Sequence, residues 1–209
     1  MSTGTAPTDP PAFPFIGGRA CLDFVATLGR RHAEPLERIP EPADLDRWLL
    51  AAGLHTQPDF PAAPNRTTPN RATPADLADA RTLREALYHL LRAAMAGLAA
   101  DPADLARANE AAHWPDLAPQ LTLDQEGGTA RPTRHWQAAD PVPAALATVA
   151  RDAALLLSGP LLDRVKECEN PDCSLLFLDD SQARRRRWCS MDRCGNLAKV
   201  AGYRTRKKN

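Results

Sequence analysis

Four cysteines near the C-terminal end of the chain have the spacing of a metal site. They are Cys168, Cys173, Cys189 and Cys194, which form two pairs with four residues inside each pair and 15 between the pairs. Zinc prefers four tetrahedral ligands, and two short loops that each supply two thiolates satisfy this geometry locally. In a reducing compartment, clustered cysteines favour metal over disulfides. The spacing predicts one zinc ion; reduced core cysteines or two disulfides are the alternative.

The predicted zinc is structural, because four thiolates leave no open position for a water molecule. It would fold a segment that is too small to bury a core of its own. The fifth cysteine, Cys21, stands apart and is expected to be a small buried apolar side chain. The sequence contains no G-x-S-x-G, phosphate loop, dinucleotide-binding glycine pattern or H-E-x-x-H motif. We therefore predict no catalytic residue and no enzymatic activity.

The charges divide unevenly along the chain, although 26 Lys and Arg balance 26 Asp and Glu. Residues 164–209 hold 12 basic and 6 acidic residues, a net charge of +6, which leaves −6 for residues 1–163. This predicts a polyanion-binding module on an acidic carrier, with a solvated charged tail as the alternative. No apolar run approaches the roughly 20 residues that span a bilayer, and no signal peptide is recognisable, so we expect a cytoplasmic protein without membrane contact.

The residues around the cysteines predict the shape of this module. The apolar run 175–178, a turn at 179–181 and a returning segment 184–188 predict a β-hairpin. The residues after Cys194 predict a helix, which gives a treble-clef-like order of knuckle, hairpin, knuckle and helix. The side chains expected to face the zinc core are those of Leu197, Val200, Ala201 and Arg204.

The cations of the module predict a nucleic-acid-binding surface. Its candidate residues are Arg184, Arg185, Arg186, Arg187, Asn196, Lys199, Tyr203, Arg204, Arg206 and Lys207. On a strand, at most about half of four consecutive arginines face one partner. The cations would bind phosphate, whereas Asn196, Tyr203 and Arg206 are better placed to reach base edges. DNA is favoured over RNA, and a protein-binding finger whose arginines pair internally is the remaining alternative.

The upstream part of the chain predicts a mostly helical domain. Residues 1–14, with four prolines, are expected to be disordered, and the folded domain is placed at 15–163, before a finger at 164–209. Apolar periodicity and capping residues predict the helices, which lie near residues 42–52, 74–100, 102–113 and 143–157.

Alternation across residues 120–137, with a turn at Gly127-Gly128, predicts a β-hairpin. The predicted class is therefore α+β: a mostly helical N-terminal domain with a small β-hairpin or sheet, followed by a treble-clef-like four-cysteine finger. A domain of this size has room for a ligand pocket, although a core or surface role is more frequent for each candidate residue. The candidates are Arg19, Asp23, Trp48, His135 and Trp136.

The segments CENPDCSLLFLDDS and RRWCSMDRCGNLAKVAGYRTRKK resemble the CGNR zinc-finger family, and GGRACLDFVATL and ADLDRWLLAAGL resemble the ABATE domain that usually precedes it. The resemblance implies a bacterial stress-response transcription regulator that binds DNA. Its further partners would be a small-molecule effector or a protein of the transcription machinery, and a homodimer is plausible because one finger specifies little sequence. Two positions depart from the pattern. Leu197 replaces the arginine of the CGNR motif, and Ala26 stands where such proteins often have asparagine.

Overall fold

The structure is a computed structural model that describes residues 11–55, 71–124 and 131–200. The helices are α1 Ala20–Val25, α2 Pro42–Ala51, α3 Pro74–Met95, α4 Pro102–His113 and α5 Pro141–Leu157. The strands are β1 Leu28–Gly29, β2 Leu36–Glu37, β3 Ala118–Asp124, β4 Arg131–Gln137, β5 Val165–Glu167 and β6 Leu176–Leu178. They form three antiparallel pairs, β1 with β2, β3 with β4 and β5 with β6. Helices dominate and every sheet has two strands, so the predicted α+β class is confirmed.

Helix α3 begins at the predicted cap but ends earlier than predicted. Thr73 and Asp76 form a capping box, in which the Thr73 hydroxyl accepts the Asp76 N–H at 3.2 Å. The helix stops at Met95 instead of near residue 100, because Gly97 adopts a left-handed φ of 65° and the chain turns there. Leu98, which lies within the predicted range of this helix, is consequently outside it and 68% exposed.

The hydrophobic core lies between α1, α2, α3 and α5. Trp48 of α2 is fully buried, with its ring 5.1 Å from that of Phe24 in α1. Leu87 of α3 and Leu156 of α5 are also fully buried in this core. Burial of a large apolar side chain contributes about 1.5–3 kcal/mol. The helical region therefore has enough apolar contact to stabilise itself.

The predicted hairpin is confirmed as β3 and β4, where Leu121 pairs with Arg134 and Leu123 with Pro132. Its predicted turn, Gly127-Gly128, lies outside the described residues. Within the described residues, no helix has both the length and the apolar character that a membrane crossing requires.

Part of the segment predicted to be disordered contacts the fold. Phe13 lies under the guanidinium group of Arg47 at 4.4 Å, and the Ala12 carbonyl accepts a hydrogen bond from Arg38 at 3.1 Å. The ordered chain therefore begins before residue 15. Residues 1–10 of that segment, and residues 56–70 between α2 and α3, lie outside the described residues.

The C-terminal segment packs directly onto the helical region. Val165 of β5 and Leu176 of β6 belong to the core of the helices. In the other direction, Ala26 at the end of α1 packs among the buried residues around the four cysteines. The Leu178 N–H donates to the Gly17 carbonyl at 2.8 Å. The two parts of the chain thus share a continuous apolar contact.

Candidate metal centre and nucleic-acid interface

The structure brings the four predicted cysteines together. Their sulfur atoms all lie within 4.8 Å of one another, and all four side chains are buried. The Sγ atoms of Cys173 and Cys189, and those of Cys189 and Cys194, are 3.7 Å apart. A tetrahedron with Zn–S bonds of about 2.3 Å has edges of roughly 3.8 Å, so the sulfur positions fit zinc. The predicted cofactor, one structural Zn²⁺, is confirmed.

Short local turns position each pair of cysteines. Cys168 follows β5, and its N–H donates to the Leu175 carbonyl at 2.9 Å, which closes the first loop. Cys194 lies in the π-helical turn Met191–Gly195, which the hydroxyl of Ser190 caps by accepting the Arg193 N–H at 3.1 Å. Each pair of ligands is therefore held by backbone geometry within a few residues.

Hydrogen bonds reach the sulfur atoms from outside the metal centre. The Cys189 N–H donates to the Cys168 sulfur at 3.4 Å, and the Asn170 amide donates to the Cys194 sulfur at 3.3 Å. Side-chain hydrogen bonds from Cys173 and then Cys189 lower the pKa of Cys168, whereas donation to Cys168 raises the pKa of Cys173 and Cys189. The charge of Zn²⁺ allows all four thiols to ionise, so zinc binding releases protons.

The second strand of the predicted finger hairpin is absent. Strand β6 pairs with β5, which precedes the first cysteine, and residues 183–186 form no regular element. Arg184 adopts a left-handed φ of 50°, which a β-strand cannot accommodate. The prediction of four arginines alternating along a strand is therefore wrong.

An ion pair between a half-buried lysine and a buried carboxylate holds this segment in place of strand pairing. The Lys166 ammonium group contacts the Asp179 carboxylate at 2.6 Å and also the carbonyl of Arg184 at 2.7 Å. Asp179 is fully buried and accepts the Arg186 N–H at 2.9 Å. Burial alone would raise the pKa of Asp179, but the hydrogen bonds from Lys166 and Ser181 hold it well below its usual value. The carboxylate thus fixes the path of the arginine segment, residues 184–187.

The four arginines have different environments. Arg186 is half-buried; it donates to the Cys189 carbonyl at 2.6 Å and lies 4.7 Å above the Phe177 ring. Arg187 is exposed and pairs with Glu169 at 2.6 Å. Arg184 and Arg185 are exposed, and their guanidinium groups form no hydrogen bond, ion pair or ring contact within the described chain. Two of the four are therefore free to bind a partner without losing an internal contact.

After the second knuckle, residues 196–200 form a helix, and the described chain ends at residue 200. Asn196 and Lys199 are exposed, as a binding role requires. Leu197 and Val200, predicted to face the zinc core, are 61% and 48% exposed, because Leu175 and Phe177 fill that core instead. Four further candidates lie outside the described residues. They are Tyr203, Arg204, Arg206 and Lys207. Ala201, which was predicted to face the zinc core, also lies outside the described residues.

Three of the five candidate pocket residues lie together. Arg19, Asp23 and Trp48, with Phe15, line a cavity of about 220 Å³. Burial raises the pKa of Asp23 to about 6, although its carboxylate accepts the Gly17 N–H at 2.7 Å.

The other two candidates, His135 and Trp136, are on β4, and Trp136 donates its indole N–H to the Gly53 carbonyl. They do not line the same cavity. Cys21 is fully buried in the helical core, as predicted.

Two structural features were missed by the sequence reasoning. The Lys166–Asp179 pair has no motif, and only the tertiary contact reveals it. Arg38 is 4% exposed, and its guanidinium group lies beside the metal centre in a cavity that also contains Arg193. None of these three residues occurs in a sequence pattern that distinguishes it from other charged residues.

Comparison with known proteins assigns both parts of the chain. The ABATE family, described as a putative stress-induced transcription regulator, matches residues 18–160. The CGNR zinc-finger family matches residues 164–207. These are regulator and zinc-finger families and not enzyme families. No curated protein matches the chain.

Proposed function

This chain belongs to the ABATE family and carries a CGNR zinc finger, and we propose that it is a zinc-dependent transcriptional regulator that binds DNA through the finger. The DNA-binding unit is residues 164–209 and the regulatory unit residues 15–163. We place this activity in the bacterial cytoplasm, and a homodimer would supply a second half-site.

The observation that carries the proposal is that exposed cations lie on backbone segments next to the metal centre, which holds those segments in place. Arg184 and Arg185 have no internal partner in the described chain, and Lys199 is exposed on the helix that begins two residues after Cys194. Guanidinium and ammonium groups contact phosphate and release counterions from DNA. Asn196 is exposed on the same helix, where a side chain amide suits a base edge.

The test is the salt dependence of binding to labelled duplex DNA, measured by fluorescence anisotropy with zinc-loaded protein. If the finger and the residues after it neutralise about five phosphates, the log–log slope is roughly −4.5. Arg185→Ala removes one contact and makes the slope shallower by about 0.9. The matched control is Arg131→Ala, an exposed arginine on the hairpin of the other unit. Affinity that stays flat from low to moderate salt would contradict the proposal.

A protein-interaction finger is the second candidate, and exposed apolar side chains favour it. Met191, Leu197 and Val200 of the finger are 44%, 61% and 48% exposed. An adaptor of this kind would co-purify with a sigma factor or polymerase subunit and would not be retained on duplex DNA or heparin. A single-stranded RNA of equal length, run beside the duplex, separates the RNA-binding alternative.

We propose that the helical unit senses a ligand or a partner and transmits this to the finger through their shared apolar contact. Support comes from the cavity lined by Arg19, Asp23 and Trp48, which combines aromatic, acidic and basic groups. A ligand that binds there and favours one arrangement of the two units would change DNA affinity by its differential binding free energy.

A further inference from the structure

A second cavity lies where the helical unit meets the finger. Its volume is about 430 Å³. Arg30 and Arg38, from the segment that contains β1 and β2, line one side, and Arg193 and Leu197, from the second knuckle and the following helix, line the other. We call it the arginine cavity. Neither unit forms it alone.

Arg38 is held rigidly at the base of this cavity. Its Nε donates to the Ala12 carbonyl at 3.1 Å and its Nη1 to the Ala26 carbonyl at 3.0 Å. The guanidinium group packs on Gly29, where an added Cβ would lie 2.6 Å from Nη1, so a side chain at that position would displace the guanidinium group. Nη2 has no hydrogen-bond partner within the described residues. A buried cation therefore keeps one donor edge available to the cavity.

Arg30 and Arg193 add two cations that are free of internal pairs. Both residues are exposed, and neither guanidinium group forms a hydrogen bond or ion pair within the described residues. The backbone of Arg193 is fixed by the cap at Ser190, so folding of the metal centre sets where this side chain begins. One exposed carboxylate, that of Asp172, also lines the cavity. Three guanidinium groups thus face one carboxylate.

The three arginines and Asp172 carry a formal net charge of +2. A zinc ion with four thiolates would carry −2 and balance that charge in total, although only Cys173 and Cys194 of the four ligands line the cavity. The thiolates, however, already accept hydrogen bonds from Asn170 and from the Cys189 N–H. The free donors of the three arginines match the oxygen atoms of a phosphate group, which accepts the planar fork of guanidinium in a bidentate manner.

We propose that the arginine cavity binds a phosphate-type oxyanion that bridges the helical unit and the finger. Because both units supply donors, the anion binds only when they are docked, and it stabilises the docked arrangement by mass action. The position of the CGNR arginine, here Leu197, lies on the rim of the same cavity. The proposal does not depend on DNA binding by the finger.

The test is a titration of the zinc-loaded full chain with inorganic phosphate. Phosphate replaces chloride in the buffer, so that the ionic strength stays constant. Broadening of the ³¹P resonance should saturate for the wild type. Arg193→Gln and Arg30→Gln should each weaken binding about tenfold, since each removes charge-assisted hydrogen bonds. Leu197→Arg should strengthen it about threefold, and its uncharged control is Leu197→Gln. Arg131→Gln, at an exposed arginine on the hairpin of the helical unit and outside the cavity, should bind phosphate as the wild type does.

Wild-type broadening that does not saturate, or Arg193→Gln and Arg30→Gln that bind normally, would overturn the proposal. Alternatively, the variants lose zinc and regain phosphate binding when zinc is added back. That result would also overturn the proposal, because the arginines would then act only by stabilising the zinc–thiolate centre. Repeating the titration with duplex DNA present identifies the source of the phosphate. Binding that persists on the complex indicates a free ligand, and competition indicates a backbone phosphate. A failure of DNA binding leaves the phosphate titration unchanged, so the two proposals fail separately.

Discussion

In the helical region, the side chains of Phe24, Trp48 and Leu87 are fully buried between four helices. In the finger, the buried set around the metal centre consists of the four cysteines, Leu175, Phe177 and Ala26, and the last of these comes from α1. The first region is stabilised by apolar area, whereas the second has too little of it and depends on metal–sulfur bonds.

The finger is nevertheless not an isolated module. Val165 and Leu176 belong to the core of the helices, and the backbone of Leu178 bonds to Gly17. Strands β5 and β6 are therefore anchored on the helical side, while the loops that carry the cysteines extend beyond them. We therefore expect loss of zinc to disrupt the knuckles and the arginine segment most and the helices least.

The largest expected effect follows removal of one zinc ligand. Cys189→Ser should lower the zinc content from one to near zero and unfold the knuckles, because structural zinc contributes on the order of 10 kcal/mol to such sites. The helical circular-dichroism signal should remain, since the core of α1, α2, α3 and α5 contains none of the ligands. Chelation should have the same effect on the wild type.

The matched control for this variant is Cys21→Ala, at the fully buried cysteine of the helical core. It should retain zinc and lower the stability of the helices by about 1 kcal/mol, for the small cavity it leaves. Helical signal that disappears across the chain in Cys189→Ser would show that the two regions fold as one unit.

A smaller effect should follow loss of the buried charge that holds the arginine segment. Asp179→Asn should destabilise the finger by about 2 kcal/mol, because it removes the charge that the half-buried Lys166 ammonium group pairs with. Zinc should stay bound. Amide exchange at Arg186 should accelerate, since its N–H donates to Asp179. The control is Asp180→Asn, at a 78% exposed carboxylate that pairs with the side chain of Arg186 and not with its N–H. If both variants show the same exchange rates, the charge of Asp179 does not fix the segment.

The metal centre and the helices were predictable because their signals are local. Both pairs of cysteines lie within a few residues of each other, and the zinc geometry needs little more. Thr73 and Pro74 mark the start of α3 through capping chemistry that operates within one turn. The end of that helix was misplaced because the role of Gly97 depends on its left-handed φ, which the apolar pattern does not reveal.

The arginine segment was not predictable in the same way. An apolar run followed by a turn indicated a hairpin, but β6 found its partner in β5, upstream of the first knuckle. The segment follows Asp179 and Lys166 instead, through a tertiary ion pair that no spacing rule encodes. The outward position of Leu197 has a similar cause, because Leu175 and Phe177 already occupy the space next to the sulfur atoms.

The helical region should respond to pH through Asp23, with the smallest effect of the three. Its pKa is raised to about 6 in the folded protein, chiefly by burial, from an ordinary value of 3.8. The folded state therefore binds the proton more tightly than the unfolded state, and this contribution is present in acid and lost as pH rises from about 4 through 6. Because the side chain is partly exposed, we expect a loss of about 1–2 kcal/mol. Asp23→Asn, whose amide oxygen still accepts the Gly17 N–H, should remove the pH dependence of stability.

The measurement is urea denaturation of both proteins at pH 4.5 and 6.5, in the same zinc state. Competition between protons and zinc for the thiols then affects both proteins equally, and it cancels when their free energies of unfolding are subtracted. Equal changes in stability for the two proteins would show that Asp23 does not titrate in this range, and the helical region would then match a purely apolar core.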